Sequence, residues 1–280
     1  MKRIVTIQDI SCFGKCSLTI ALPVISAMGI ETCVIPTAVL STHTGGFTGF
    51  TFRDLTGDVA PIAEHWKSLN LHFDAIYTGY LGSMEQLRLM EEFFDTFGAE
   101  DTLRFVDPVM GDKGKLYTGF TPEFAAGMAK LCAKADVIVP NLTEASFLLN
   151  EPYQPEGYSM EEIRSILKKL TGLGCRIAVL TGVRSTSETQ GAMAYDRDTD
   201  TYTEYFGENL PVAFHGTGDI FSSTLVGALT RGETLAEALK TAVDYTVACI
   251  RATMGDDRSH WYGVKFEKCL AMLAPKTVEE

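Results

Sequence analysis

No run of apolar residues in the chain is long enough to span a bilayer, which sets aside an integral helical membrane protein. Positive charge is scarce: 24 Lys and Arg stand against 36 Asp and Glu, a net charge of −12. That balance argues against nucleic-acid binding or docking on an anionic membrane, so an anionic ligand has to be held locally. The seven cysteines, Cys12, Cys16, Cys33, Cys132, Cys175, Cys249 and Cys269, are odd in number and share no pair spacing. Neither a disulfide framework nor a zinc site follows, and a reduced cytoplasm is the expected setting. The stretch from Met1 to Asp9 carries two charges and then apolar residues that Gln8 and Asp9 cut off too early for a signal peptide. Two nucleotide signatures are missing as well. A phosphate loop at Gly14-Lys15 would need Gly where Asp9 stands and Ser or Thr where Cys16 stands, and Gly216-Thr217-Gly218 lacks the third glycine of a dinucleotide fingerprint, its place being taken by Phe221. There is no internal repeat and no low-complexity segment.

What is present is a rhythm. The chain has 280 residues, 46% of them hydrophobic, enough for one large α/β domain or two small ones. Short β-rich runs at Ile4–Ile7, Thr32–Leu40, Ala75–Thr78, Leu103–Val106, Val137–Val139 and Ile177–Leu180 alternate with helical spacings such as Met84, Leu87, Met90, Phe94 and Ile163, Ile166, Leu167, Leu170. The alternation predicts a three-layer α/β/α fold: a central, mostly parallel sheet with helices on both faces. Two β-rich runs between Gly191 and Phe206, flanking the turn Asp196 to Asp200, predict an antiparallel hairpin at the sheet edge. Helices are expected over Ile220–Thr230 and Leu235–Met254, followed by a frayed tail from Pro275 to Glu280. The Pro- and Gly-containing stretch from Asn150 to Tyr158 is the one linker candidate and is too short to divide the chain, so a single domain over 1–280 is expected.

Four segments carry chemistry. In HGTGDIFSSTLVGAL, residues 215–229, two glycines precede an Asp and an apolar helix. The amides of Gly216, Thr217, Gly218 and Asp219, with the positive end of the helix dipole, would converge on a phosphate, and Asp219 could accept a proton from an attacking hydroxyl. An ordinary turn with Thr217 capping the helix is the plainer reading. DPVMGDKG, residues 107–114, follows a strand at the carboxyl edge where open α/β sheets bind ligands, delivering Asp107 there and leaving Gly111, Lys113 and Gly114 in a loop loose enough to close over a substrate. PNLTEASFLL, residues 140–149, puts Asn141 and Glu144 one helical turn apart, able to hold water around a Mg²⁺ on ATP phosphates or simply to form an N-cap and its capping-box partner. Thr181-Gly182-Val183-Arg184 follows another strand; Thr181 could meet a phosphate or a monovalent cation such as K⁺, and Arg184 a phosphate charge, while a polar turn explains both equally.

In combination, TIQD at 6–9, STHTGG at 41–46, TGYLGS at 78–83, DPVMGD at 107–112, PNLTE at 140–144 and GTGD at 216–219 resemble the ribokinase-like superfamily and, within it, the pyridoxal kinases. The resemblance covers nearly the whole chain. It implies ATP-dependent phosphorylation of the hydroxymethyl group of a vitamin B6 ring, with Mg²⁺ accompanying ATP and a homodimer as the family's habit. It also implies roles: Gly216, Thr217 and Gly218 as anion hole, Asp219 as base, Asp107 and Glu144 for the metal, and Asn141, Thr181 and Asp112 on the ATP phosphate side, where Arg184 joins them on the strength of its charge. A ring pocket of Asp9, His43, Thr44 and Tyr80 follows, with Asp112 on a covering loop. Many pyridoxal kinases have Ser where Asp9 stands; a carboxylate there favours a protonated ring nitrogen or an amino substituent. Hydroxymethylpyrimidine kinase activity, alone or alongside B6 activity, and a catalytically silent B6-vitamer sensor are the alternatives. Of the other conspicuous residues, Cys12 and Cys16, one turn apart near the first helix, read as packing residues; His65, His72 and His260 show no ligand spacing; His215 could touch nucleotide, pack or lie on the surface.

Overall fold

The computed structural model describes residues 1–256 and 259–275. Among these residues eleven strands form in chain order: β1 (Arg3–Ser11), β2 (Glu31–Leu40), β3 (Phe52–Asp54), β4 (Ala75–Thr78), β5 (Leu103–Val106), β6 (Gly111–Asp112), β7 (Lys115–Leu116), β8 (Val137–Ile138), β9 (Ile177–Arg184), β10 (Thr189–Asp196) and β11 (Thr201–Glu208). Nine of them make one sheet in the order β11-β10-β9-β8-β5-β4-β1-β2-β3, and β6 with β7 makes a separate small hairpin. The six strands from β9 to β2 in that order run parallel; β10 and β11 at one edge and β3 at the other are antiparallel. The chain passes from β1 to β2 on one side and returns to β4 on the other, so the ends of β1 and β4 flank a topological switch point.

Among the described residues eight α-helices cover the sheet: α1 (Leu18–Ala27), α2 (Thr56–Ser68), α3 (Met84–Phe97), α4 (Pro122–Ala133), α5 (Leu142–Leu148), α6 (Met160–Thr171), α7 (Thr217–Thr230) and α8 (Leu235–Thr253), with a 3₁₀ segment over Phe266–Leu273. Alternation along the strands divides the core. Val5, Ile7, Ile76, Val106 and Ile138 face α2 to α6; Ile4, Ala75, Tyr77, Phe105 and Val137 face α1, α7 and α8. The expected three-layer architecture and edge hairpin are therefore present. Among the described residues no helix is long and apolar enough to cross a membrane, and all seven cysteines are free.

Three local expectations change. Thr181 to Arg184 is strand rather than turn, because β10 pairs with it; the irregularity falls at Gly182, whose φ of 71° takes up a β-bulge between Thr181 and Val183. Helix α7 begins three residues before Ile220, at Thr217. Cys12 and Cys16 lie in the loop before α1 and not on a helix. Of the tail expected over Pro275 to Glu280, residues 276–280 lie outside the described residues.

Candidate active site

The carboxyl ends of the parallel strands converge on the N-terminus of α7. Asp107 follows β5, and its N–H donates to the Thr78 carbonyl at the end of β4, 2.9 Å away. Asn141 follows β8 and forms an isolated bridge with Thr181 on β9. From the helix side, Ser222 Oγ, one turn after Asp219, donates to Asp107 Oδ2 at 2.7 Å. Asp107, Asp219, Asn141 and Thr181 thus share one edge of the sheet.

Gly216 is the N-cap of α7 in a left-handed conformation, φ 82°, with no side-chain cap; Thr217 Oγ1 turns back to the Phe214 carbonyl and does not cap the helix. The first helical N–H to find an acceptor is that of Ile220, which bonds the Gly216 carbonyl. The amides of residues 216–219 meet no acceptor among the described residues, which leaves a set of donors at the positive end of a helix dipole. The loop before α1 packs directly on this turn: a Cβ on Gly216 would stand 2.1 Å from the Lys15 carbonyl oxygen.

Three carboxyls share the floor. Asp219 is pushed up to about 8 by burial and then by Asp107, against the Ser17 N–H, with Asp9 adding to the rise. Burial raises Asp107 to about 7, opposed by the Ser222 hydroxyl. Glu144 is raised well above the carboxylate range by burial and by Asp107. Its two oxygens are committed: Oε2 accepts from Asn141 N–H at 2.9 Å and Oε1 from Met110 N–H at 3.2 Å, while Asn141 Oδ1 accepts from Glu144 N–H. The capping box is complete, so both Glu144 oxygens are taken up by backbone N–H groups and neither is placed as a direct metal ligand. We expect Glu144→Ala, which strands two buried N–H groups, to cost about 2–4 kcal/mol; urea denaturation of the variant checks it.

The segment 107–116 is not a loose loop. Strands β6 and β7 close through a two-residue turn, and the hairpin hangs on the start of α5: Asn141 Nδ2 donates to the Gly111 carbonyl at 2.9 Å and Gly114 N–H to Thr143 Oγ1 at 2.9 Å. Asp112 is exposed on it, its Oδ1 accepting from Lys113 N–H.

Of the residues expected to hold the ring, Asp9 lies where the pairing of β1 with β2 slips, a bulge that aims it off the ladder. It is buried, accepts from Ser11 Oγ at 3.1 Å, and is raised by burial, opposed by the hydroxyls of Ser17 and Ser11. Burial and then the Asp9 charge raise the phenol of Tyr80, whose ring packs against Phe120. His43 is buried with both nitrogens engaged: Nδ1 accepts from Gly45 N–H at 3.1 Å, and Nε2 lies 2.8 Å from the Tyr262 carbonyl, which fixes the Nε2–H tautomer. His43 therefore shapes the loop, and its ring packs at a tilt of 43° against His215, 4.9 Å between centroids. Thr44 is exposed on the same loop. Arg184 is exposed on β9, three residues beyond Thr181, with no described contact to the other site residues.

Several participants escape a sequence reading. Cys16 is packed beside Asp219 and Asp9, its thiol raised by burial and then by those two carboxyls. The segment 260–267 binds the pocket loops from the far end of the chain: Lys15 Nζ pairs with Glu267 at 2.6 Å, Trp261 packs on Phe47, and a Cβ on Gly263 would meet Lys15. None of these has a local signature. Ser222 does: three residues after Asp219, it shares that residue's helical face.

Residues 21–262 match the phosphomethylpyrimidine kinase family. Among solved structures, a Bacteroides thetaiotaomicron protein assigned as a phosphomethylpyrimidine kinase and crystallised with pyridoxal superposes with a TM-score of 0.92 at 40% identity, covering 99% of this chain and 97% of that one. The pyridoxal kinase of Lactobacillus plantarum gives 0.89 at 32% identity, covering 98% and 96%. Among curated proteins, the pyridoxal kinase PdxY of Vibrio vulnificus is 27% identical over 267 residues, 90% of this chain and 88% of its own.

Proposed function

The chain belongs to the phosphomethylpyrimidine kinase family, within the ribokinase-like superfamily, and from that premise we propose that it phosphorylates the 5′-hydroxymethyl group of a vitamin B6 vitamer with ATP. It is a phosphotransferase acting on an alcohol group. The observation that carries the reading is the row of unpartnered amides at 216–219 with Asp219 beside them. Donors fixed around a moving phosphoryl group, next to one raised carboxyl, are the parts this reaction asks for. Hydroxymethylpyrimidine kinase activity, which the family's name suggests, is the less favoured reading, since the Vibrio vulnificus relative is a pyridoxal kinase and the 40% identical structure holds pyridoxal.

In this reading the vitamer ring lies between Tyr80 and Asp9, and its hydroxyl approaches Asp219, which takes the proton late in the transfer. The ATP phosphates rest on the amides of 216–219, with Asn141, Thr181, Arg184 and Asp112 around them. Mg²⁺, which brings charge neutralisation of the phosphates, fits beside Asp107: Oδ2 is held by Ser222, Oδ1 has no partner among the described residues, and Mg²⁺ keeps several waters and needs few protein ligands. Thr181 is the residue suited to a monovalent cation such as K⁺. The family habit supports a homodimer, the scattered free cysteines support a cytoplasmic protein, and the one continuous sheet supports a single domain; size-exclusion chromatography with light scattering tests the first.

The decisive test is ADP release with Mg·ATP and a panel of pyridoxal, pyridoxamine, pyridoxine and hydroxymethylpyrimidine. Turnover of B6 vitamers is expected; activity confined to hydroxymethylpyrimidine, or none, would reject the proposal. The panel also reads Asp9. A buried carboxylate gains most from a cationic partner, so Asp9→Ser should lower kcat/KM for pyridoxamine relative to pyridoxal by about tenfold, the worth of one charge-assisted hydrogen bond of ~1.5 kcal/mol. An unchanged ranking would remove Asp9 from vitamer selection.

A further inference from the structure

The hairpin over the site turns on Lys113 and Gly114, both at positive φ, 51° and 76°. That is the geometry of a two-residue type I′ turn, for which Asn-Gly is the favoured sequence. An L-residue with a long side chain in the left-handed region costs about 1–2 kcal/mol, so Lys113 is kept there against its backbone preference. Strain retained at a ligand-facing turn points to a role for the side chain that bears it.

The hairpin does not need that side chain to stand. Its supports are Asn141 Nδ2 on the Gly111 carbonyl, Glu144 Oε1 on Met110 N–H, Thr143 Oγ1 on Gly114 N–H, and the Tyr153 ring against which Gly114 is pressed. Lys113 is exposed and forms no ion pair among the described residues. His215 is held neutral, its pKa lowered by burial first, then by His43 and by the Lys113 ammonium, with Asp112 opposing. His215 immediately precedes Gly216, and Asn141, which holds the hairpin through the Gly111 carbonyl, bridges Thr181 at the same sheet edge, so the turn stands at the edge on which the start of α7 converges. Asp9, Asp107, Asp112, Glu144 and Asp219 line the rest of the site, Arg184 on β9 is the other cation read onto the phosphate side, and the nearby Lys15 is neutralised by Glu267.

We propose that Lys113 is a catalytic residue whose ammonium contacts the oxygens of the phosphoryl group as it passes from ATP to the vitamer hydroxyl, opposite the amides of residues 216–219. This rests on the kinase reading above. A phosphoryl group in transfer spreads negative charge over its equatorial oxygens, and a positioned cation stabilises that charge more than it does the ground state.

The turn supplies a sharp test. Lys113→Asn removes the charge and installs the residue the turn favours, so Tm should hold or rise while kcat falls by about tenfold to a hundredfold, with KM for pyridoxal nearly unchanged. Lys113→Arg, which keeps the charge, should recover most of kcat. Wild-type kcat and KM for ATP in Lys113→Asn would overturn the proposal, as would Lys113→Arg proving as slow as Lys113→Asn at wild-type Tm. Wild-type enzyme that turns over no vitamer would overturn the kinase reading along with it, whereas active wild type with an unaffected Lys113→Asn removes this proposal alone.

Discussion

Asp219→Asn is expected to lower kcat by about a hundredfold or more, the usual loss when a general base is removed, with little change in KM for either substrate. The reasoning is local: Asp219 stands beside the unpartnered amides of α7, and burial and Asp107 hold it up at about 8, close to the operating pH where a base is both available and strong enough to act. In the wild type, kcat/KM should therefore climb as pH rises through about 8. The variant should lose that limb. Stability should move the other way. Because the folded-state pKa lies above the ordinary 3.8, the native protein holds a proton that the unfolded chain releases, so stability is full below about 4 and is lost as pH rises through about 8. Removing the carboxyl relieves that loss, so Asp219→Asn should melt higher than wild type at pH 9, a trade between activity and stability common at active sites. A KM effect with kcat intact would take Asp219 out of the chemistry.

Gly216→Ala is the second large effect. A methyl group there would stand 2.1 Å from the Lys15 carbonyl oxygen and 2.6 Å from Ile20 Cδ1, on a backbone at φ 82°. Left-handed strain contributes about 1–3 kcal/mol and overpacking about 1–3 kcal/mol, so an unfolding free energy lower by roughly 3 kcal/mol is expected. The amides should splay, raising KM for ATP at least about tenfold, as expected when ~1.4 kcal/mol or more of binding is lost. Gly218→Ala is the control, because an added Cβ meets nothing within 4 Å there and its φ is not positive. Alanine inside a helix gains about 0.5–1 kcal/mol over glycine, so this variant should be at least as stable as wild type. Equal melting of the two variants would mean that the left-handed cap is not under the constraint described.

Much of this architecture is legible in the chain because its interior obeys local rules. Strands β4 and β5 begin and end where their apolar runs do, since Gly79 and Pro108 punctuate them and both faces of the sheet are covered. The capping box at Asn141 and Glu144 is visible because both partners lie within one helical turn. What is hidden depends on distant neighbours. Thr181 to Arg184 reads as a polar turn until β10, from beyond the next bend, gives it a ladder. The type I′ turn at Lys113 has no Asn-Gly to announce it. His43 looks like a pocket ligand, but its second nitrogen is claimed by Tyr262, 219 residues away. Gly14-Lys15, unable to form a phosphate loop by itself, still reaches the start of α7, because the loop folds onto Gly216.

The ties between Lys15 and Glu267 and between His43 and Tyr262 join the first pocket loops to residues near the other end of the chain. During synthesis, then, a ribosome that has released β1 to β8 has made most of a sheet but not yet a working catalyst. The loops that carry Lys15 and His43 gain these ties only once 260–267 has emerged, so turnover should begin abruptly at that length.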